Sequence, residues 1–200
     1  FYFYWRYYQE TQETYYLSKY DKNYNLIYSL NMDEIWANKK NKTVERVVVG
    51  KDGTLYALSD NLIFVFDKKG ECEKCIDLGY IDVDNMLFYD TDRIILTYIS
   101  QKGMELAELD VNTDIVGESY KNLPQSSSRV WNGQAGKLFV NTSEVLFEYD
   151  IEKQEATEFL KWGDVNVTGD SVREIYSAEN GNILVLCRDL SGDYFLPKSE

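Results

Sequence analysis

Residues 44–79 read VERVVVGKDGTLYALSDNLIFVFDKKGECEKCIDLG, and this stretch decides the fold. Short runs of β-branched, aromatic and aliphatic residues alternate in it with turn signals, which is typical of strands joined by tight turns. The order is strand, Asp-Gly turn, strand, short turn, strand, Asp-led turn and strand. Four strands in about 40 residues is the pattern of one blade of a β-propeller.

Close copies of this unit recur along the chain. Residues 128–163 follow the same order of strands and turns, and residues 84–122 form a third copy. The aspartates that lead the last turn of each copy are separated by 46, 43 and 40 residues; they are Asp21, Asp67, Asp110 and Asp150. Because a repeat of this period indicates one structural unit used several times, we predict an all-β fold, a β-propeller of four-stranded antiparallel blades.

The repeats divide the chain into about five blades of one β-propeller domain, residues 1–200. Three are complete and two are partial; the complete blades are 43–79, 84–122 and 128–163, and the partial ones are 1–36 and 170–200. Either the first strand, FYFYWRYY, completes the last blade and closes the ring, or the ring is larger than this chain. Closure would leave no strand edge exposed to aggregation.

The repeated aspartate is interpreted as a turn device. An Asp side chain can accept hydrogen bonds from the backbone two residues further on, and it tolerates the dihedral angles of a tight turn. The four residues are therefore not predicted to form a catalytic series.

Composition excludes several partners. With 34 acidic and 21 basic residues among 200, the formal net charge is −13, so a nucleic acid or an anionic bilayer would be repelled. No apolar run approaches the roughly 20 residues of a spanning helix, which argues against direct membrane insertion of this segment. The chain starts in a strand without an initiating Met, which predicts a piece of a longer protein.

The absence of histidine removes the common catalytic dyads and triads and most metal sites. Cys72 and Cys75 form a single CxxC motif, and we interpret both as ordinary strand or turn thiols, with a redox or metal role as the alternative. Cys187 is expected to be a buried apolar side chain. The chain carries no nucleotide-binding glycine motif, so no cofactor and no bound metal are predicted.

The candidate ligand-binding residues lie at the first strand of each blade, which lines the channel of a propeller. Aligning the first hairpins on Gly53, Gly136 and Gly181 pairs Arg46 with Arg129 and Glu174, and the third blade places Asn85 at the same level. Guanidinium groups match carboxylates and planar polar groups, so this ring could hold an anionic or hydroxyl-rich ligand. The alternative is an ion-pair network that satisfies itself in a wet channel.

Aromatic residues near the connections between blades are the second set of candidates. Apolar rings beside carboxylates such as Asp82 and Asp164 suit a sugar-binding surface. The aromatic candidates are Trp36, Tyr80, Trp131 and Trp162. Their other interpretation is that they wedge neighbouring blades together.

Residues 130–189 are similar to the N-terminal region of large lipoproteins of gut Firmicutes, in which a propeller-like repeat region precedes the extracellular solute-binding domain of an ABC transporter. The matching phrases are FEYDIEKQEATEFLKWGDVNVTG at residues 147–169 and NGNILVLCRD at residues 180–189. The resemblance extends more loosely back to Tyr15. It implies an exported chain, lipid-anchored at the cell surface in the full-length protein, which acts as an accessory sensing or docking module.

We therefore predict a non-enzymatic extracellular module that binds a carbohydrate-like small molecule or a protein partner. Two alternatives remain open at this point. One is a propeller glycosidase or lyase that uses channel carboxylates, since glycoside cleavage needs only two suitably spaced carboxyl groups. The other is a structural brace for a neighbouring domain.

Overall fold

The structure, a computed structural model, is all-β and confirms the predicted class. It describes residues 2–9, 12–35, 44–79, 81–90, 92–133, 136–178, 182–189 and 192–197. In these ranges the strands form five antiparallel sheets, three with four strands and two with three. In every sheet, strands that follow one another in the chain are hydrogen-bonded neighbours.

The sheets are numbered in chain order. Sheet 1 contains β1 (Tyr2–Gln9), β2 (Gln12–Tyr20) and β3 (Leu26–Asn31), followed by the short helix α1 (Met32–Ile35). Sheet 2 contains β4 (Arg46–Val49), β5 (Leu55–Ser59), β6 (Leu62–Phe66) and β7 (Cys72–Asp77). Sheet 3 contains β8 (Val83–Phe88), β9 (Arg93–Ser100), β10 (Gly103–Asp110) and β11 (Ile115–Val116).

Sheet 4 contains β12 (Arg129–Asn132), β13 (Lys137–Asn141), β14 (Val145–Asp150) and β15 (Glu155–Lys161). Two short 3-10 helices follow, Trp162–Val165 and Gly169–Ser171. Sheet 5 contains β16 (Val172–Ser177), β17 (Ile183–Asp189) and β18 (Gly192–Pro197). Sheets 2, 3 and 4 are thus four-stranded, and sheets 1 and 5 at the two ends are three-stranded.

Strand β1, YFYWRYYQ at Tyr2–Gln9, includes most of the N-terminal segment and pairs with β2, from Tyr2 opposite Lys19 to Gln9 opposite Gln12. Closure of a ring stays a prediction. The chain divides into two compact units, residues 1–86 and 87–200. Unit 1 contains sheets 1 and 2, and unit 2 contains sheets 4 and 5 and most of sheet 3.

The core of unit 1 lies between sheets 1 and 2. Its buried residues come from β2, α1, the start of sheet 2 and the two central strands of that sheet: Leu17, Met32, Val44, Leu55, Ala57, Phe64 and Phe66. The central strands are buried along nearly their whole length because both of their faces are covered.

Unit 2 has two cores, one on each face of sheet 4. Val130, Leu138 and Val140 pack with Leu87 and Ile95 of sheet 3. On the opposite face the core residues of sheets 4 and 5 are Trp131, Phe139, Leu146, Trp162, Val172, Ile175, Ile183, Val185 and Cys187. Since side chains alternate along a strand, one strand can supply both cores.

The repeated aspartates cap their turns as predicted. Oδ1 of Asp67 accepts hydrogen bonds of 2.8 Å from the backbone N–H groups of Lys69 and Glu71. Equivalent bonds reach Asp21 from Asn23, Asp110 from Asn112 and Asp150 from Lys153. Each carboxylate therefore satisfies backbone donors of the turn before the last strand of its sheet.

Candidate functional site

Two of the four predicted ring residues are in contact, and both lie in unit 1. Arg46 begins β4 and Asn85 lies on β8, and the Nε of Arg46 donates a hydrogen bond of 3.1 Å to Oδ1 of Asn85. The Nη1 of Arg46 also donates to the backbone carbonyl of Glu45 at 2.9 Å. The bond between Arg46 and Asn85 joins the first strands of sheets 2 and 3.

Acidic residues surround this pair. Partial burial raises the pKa of the Glu45 carboxyl, and the nearby carboxylates of Asp60 and Asp82 raise it further. The positive charge of Arg46 acts in the opposite direction. We call Glu45, Arg46, Asp60, Asp82 and Asn85 the Arg46 cluster.

The other two ring residues make different contacts, in unit 2. The Nη1 of Arg129 donates a 2.8 Å hydrogen bond to the backbone carbonyl of Val172. Oε2 of Glu174 accepts one of 3.1 Å from the indole nitrogen of Trp131. A backbone carbonyl thus holds Arg129, and an indole N–H binds Glu174. The shared ring of four residues stays a prediction.

The aromatic candidates do not form a sugar platform where the structure describes them. Trp162 is 1% exposed and Trp131 is 7% exposed, and both belong to the core between sheets 4 and 5. The indole nitrogen of Trp162 donates to Oδ1 of Asn141 at 2.9 Å inside the core. These two residues act as wedges between sheets, while Trp36 and Tyr80 lie outside the described residues.

Two concave surfaces in unit 2, which the sequence did not indicate, flank the segment Pro124–Ser126. The first, here called the Ser-Glu pocket, has a volume of about 520 Å³. Its lining residues are Pro124, Gln125, Ser126, Thr142, Ser143, Glu144, Val145, Phe147, Ala156 and Glu158. The second, the Lys pocket, has a volume of about 440 Å³ and includes Lys102, Glu105, Ser119 and Lys121.

The chain between β11 and β12 creates both pockets because it leaves the sheet. The backbone N–H of Tyr120 still donates to Leu106 of β10, but Asn122 and Ser126 then adopt left-handed backbone angles, φ 57° and 59°. Side chains of sheet 4 hold this segment in place. The hydroxyl of Tyr149 donates to the carbonyl of Lys121 at 2.6 Å, and Oε1 of Gln154 accepts from the backbone of Lys121 at 2.9 Å.

Hydroxyl groups organise one wall of the Lys pocket. Hydrogen bonds from Ser100 and Ser119 lower the pKa of the Glu105 carboxyl. Tyr98 shares a hydrogen bond of 2.6 Å with Ser119. This wall is therefore a satisfied polar network, and its carboxylate is engaged before any ligand arrives.

The described ranges contain no group of three or more His, Cys, Asp or Glu side chains placed to hold a metal ion. Cys72 and Cys75 are exposed thiols, and Cys187 is buried as predicted. None of the described helices is long and apolar enough to span a membrane.

The comparisons with known proteins concern the fold. No family model and no curated protein matches the chain. The chain is similar to the WD40 β-propeller domain of Doa1, with 12% identity and a TM-score of 0.62, over 98% of this chain and 63% of that one. It is similar to streptogramin B lyase at 13% identity and TM-score 0.61, over 94% of this chain and 64% of that one.

A third similar structure is the extracellular domain of the putative one component system BT4673 from B. thetaiotaomicron. Its identity is 12% and its TM-score 0.55, over 80% of this chain and 22% of that one. The chain thus spans less than two thirds of the length of these structures. The shared fold is the β-propeller, as the repeat predicts.

Proposed function

We propose that the chain is a non-catalytic binding module that holds a neutral, hydroxyl-rich, carbohydrate-like ligand in the Ser-Glu pocket. The observation that carries this proposal is the composition of the pocket wall, which combines hydroxyl, amide and carboxylate groups around a small apolar surface. A pyranose ring needs a site with two kinds of surface. Its hydroxyls need hydrogen-bond donors and acceptors, and its C–H groups need an apolar face. The volume of about 520 Å³ lies within the range of small-molecule sites.

The charge of the pocket favours a neutral ligand. Glu144 and Glu158 are both exposed at its rim. Glu158 has one cationic neighbour, Lys161, at 3.7 Å, and both side chains of that pair are more than half exposed. An exposed pair of this kind contributes little binding energy, so both carboxylates remain free to accept hydroxyl hydrogen bonds. Acidic sugars would be repelled.

The ligand contacts proposed here are of two kinds. Ser126 and Ser143 can each donate or accept, and the amide of Gln125 can do both at once. Phe147 and Pro124 supply the apolar side of the pocket.

The proposed setting is the outside of a bacterial cell, in a lipid-anchored protein linked to solute uptake. Its support is the resemblance of residues 130–189 to the lipoproteins described above. The net charge of −13 also fits a module that does not bind nucleic acid. One of the similar propellers, that of BT4673, is itself described as part of an extracellular domain.

Affinity gel electrophoresis tests the proposal with four soluble polysaccharides: starch, xylan, galactomannan and polygalacturonate. At least one of the three neutral polymers should retard the chain, and polygalacturonate should not. Glu144→Ala combined with Glu158→Ala should abolish the retardation. Glu155→Ala, on the same strand as Glu158 but outside the pocket lining, is the matched control and should behave as the unmodified chain.

The predicted channel ring gives the opposing outcome. If Arg46→Ala combined with Arg129→Ala removes the retardation while the double glutamate variant keeps it, the ligand lies at the ring and the Ser-Glu pocket is not the site. Absence of retardation by every polymer would reject the carbohydrate-like ligand altogether.

A glycosidase or lyase is the second candidate function, and the Arg46 cluster favours it. A carboxyl group with a raised pKa is the kind from which general acids are made, and burial raises the pKa of Glu45, with a further contribution from Asp60 and Asp82. Release of reducing ends or unsaturated products from the same polymers, lost in Glu45→Gln, would replace the non-catalytic proposal.

A further inference from the structure

The CxxC motif of residues 72–75 lies on β7, the edge strand of sheet 2. In a regular strand, residues three apart point to opposite faces, so a CxxC motif would separate its two thiols. Here the register shifts within the motif. Val65 is opposite Lys74, but Phe66 is opposite Cys72, so Glu73 is an extra residue without a partner.

This β-bulge brings the two cysteines to the same face. Cys75 is opposite Phe64, and Cys72 is opposite Phe66. Phe64 and Phe66 are two residues apart on a regular strand and share a face, and directly opposite residues share a face as well. Because a bulge places two residues against one, the two thiols are spaced as if only one residue separated them.

Both thiols are accessible and near each other. Cys72 and Cys75 are both exposed, and neither is in a disulfide. Partial burial raises the pKa of the Cys72 thiol, and the neighbouring Cys75 raises it further. The register shift places both side chains on one face of the edge strand.

We propose that Cys72 and Cys75 form a chelating site for one soft, thiophilic cation of the Cd²⁺ or Cu⁺ class. Thiolates select such ions over hard cations. Each thiol releases one proton when its sulfur coordinates, so one ion displaces two protons and nothing is oxidised or reduced. The site provides two protein ligands, and water completes the coordination. It is independent of the proposed carbohydrate-like ligand, which lies in unit 2.

Cadmium titration of the whole chain, under a phosphine reductant that keeps the thiols reduced, tests the proposal. The thiolate-to-metal absorption band in the ultraviolet should rise to one Cd²⁺ per chain, with release of two protons. Cys72→Ser and Cys75→Ser should each weaken binding at least roughly tenfold, because loss of a direct ligand costs no less than loss of an outer-shell partner. Cys187→Ala should leave the titration unchanged.

A relocated thiol separates chelation from mere cysteine content. Lys74→Cys combined with Cys75→Ser keeps two cysteines and brings them closer in sequence, but it moves the second one to the opposite face. This variant should bind Cd²⁺ as weakly as the single-cysteine variants. Equal affinity of the relocated variant and the unmodified chain, or a titration that Cys75→Ser does not change, would overturn the proposal.

Discussion

The indole nitrogen of Trp131 donates a hydrogen bond of 3.1 Å to Oε2 of Glu174 and so joins the first strands of sheets 4 and 5. The ring is 7% exposed, whereas the carboxylate is exposed, so the bond connects the inter-sheet core to the surface. A bond from a buried donor to a charged acceptor contributes about 1 to 2 kcal/mol when its acceptor is partly screened by water.

A double-mutant cycle measures this bond. Trp131→Phe should lower the free energy of unfolding by about 2 kcal/mol, because it removes a donor and part of a buried ring. Glu174→Ala should lower it by about 1 kcal/mol, and the double variant should cost about 1 kcal/mol less than the sum of the two. Urea unfolding followed by far-ultraviolet circular dichroism gives all four values. Strict additivity would show that the bond contributes nothing to stability.

Gly169 provides a second test of the same core. Its carbonyl accepts a 3.0 Å hydrogen bond from the amide of Asn141, and its N–H donates to the carbonyl of Ser143 at 2.9 Å. A Cβ atom at this position would overlap the carbonyl oxygen of Thr142 and lie 2.9 Å from the indole nitrogen of Trp162. We expect Gly169→Ala to destabilise the chain by about 3 kcal/mol or more, because the obstacle is backbone and cannot move aside.

Gly163→Ala is the control for that substitution. Gly163 lies six residues earlier in the same connection, and a Cβ there would meet nothing within 4 Å. Its effect on the free energy of unfolding should stay within about 0.5 kcal/mol. Similar melting temperatures for the two variants would contradict the packing described for Gly169.

The repeat made the sheets predictable from sequence. ATEFLK, residues 156–161, has the composition of a helix, yet it forms most of β15 because its partner strand β14 offers a matching edge after an Asp-led turn. The aspartate at position 150 marks that turn in the sequence. Turn chemistry and strand alternation are local signals, so they survive in a single sequence.

The binding surfaces were less accessible to sequence analysis because they depend on distant contacts. Trp162 follows a strand and precedes Asp164, which favoured a surface position, but a 3-10 turn directs it inward and Asn141 satisfies its indole nitrogen. The Ser-Glu pocket exists because Asn122 and Ser126 adopt left-handed backbone angles without being glycine. Hydrogen bonds with Tyr149 and Gln154, about 30 residues away, stabilise that conformation. A local sequence pattern therefore does not predict the pocket.

Acid should weaken the aspartate-capped turns. The hydrogen bond from the backbone N–H of Glu71 is the main reason why the pKa of Asp67 lies below its ordinary value. Since the unfolded chain then binds more protons than the folded one, stability from this group is present above about pH 4 and is lost as pH falls through the folded pKa. Asp67→Asn keeps an acceptor but cannot titrate, so its melting temperature should fall less steeply between pH 5 and pH 2 than that of the unmodified chain.

Asp67→Ala distinguishes the charge from the hydrogen bonds. It removes the acceptor of both turn hydrogen bonds, so it should be less stable than Asp67→Asn at neutral pH. If the two variants and the unmodified chain show the same dependence of melting temperature on pH, the charge of Asp67 does not stabilise the turn; equal stability of all three at neutral pH would show that its hydrogen bonds do not either.

Glu45 should have the opposite pH dependence. Burial raises the pKa of its carboxyl, Asp60 and Asp82 add to the effect, and Arg46 reduces it. A raised folded pKa means that the ionised form disfavours the folded state, so the penalty is absent below the unfolded value of about 4.3 and grows as pH rises through the folded value. Glu45→Gln should therefore raise the melting temperature at pH 7, and the difference should vanish near pH 4.

The same cluster predicts a coupled result for Arg46→Ala. Removing the guanidinium takes away a positive charge that lowers the pKa of Glu45, so this pKa should rise further, as measured by carbon-13 chemical shifts of the side-chain carboxyl. Arg46→Lys keeps the charge and should leave that titration near its original midpoint, although it loses the directed bond to Asn85. If Glu45 titrates at the same pH in all three chains, the charge of Arg46 does not act on the Glu45 carboxyl. That result would also remove the basis for an acid-catalytic role at this cluster.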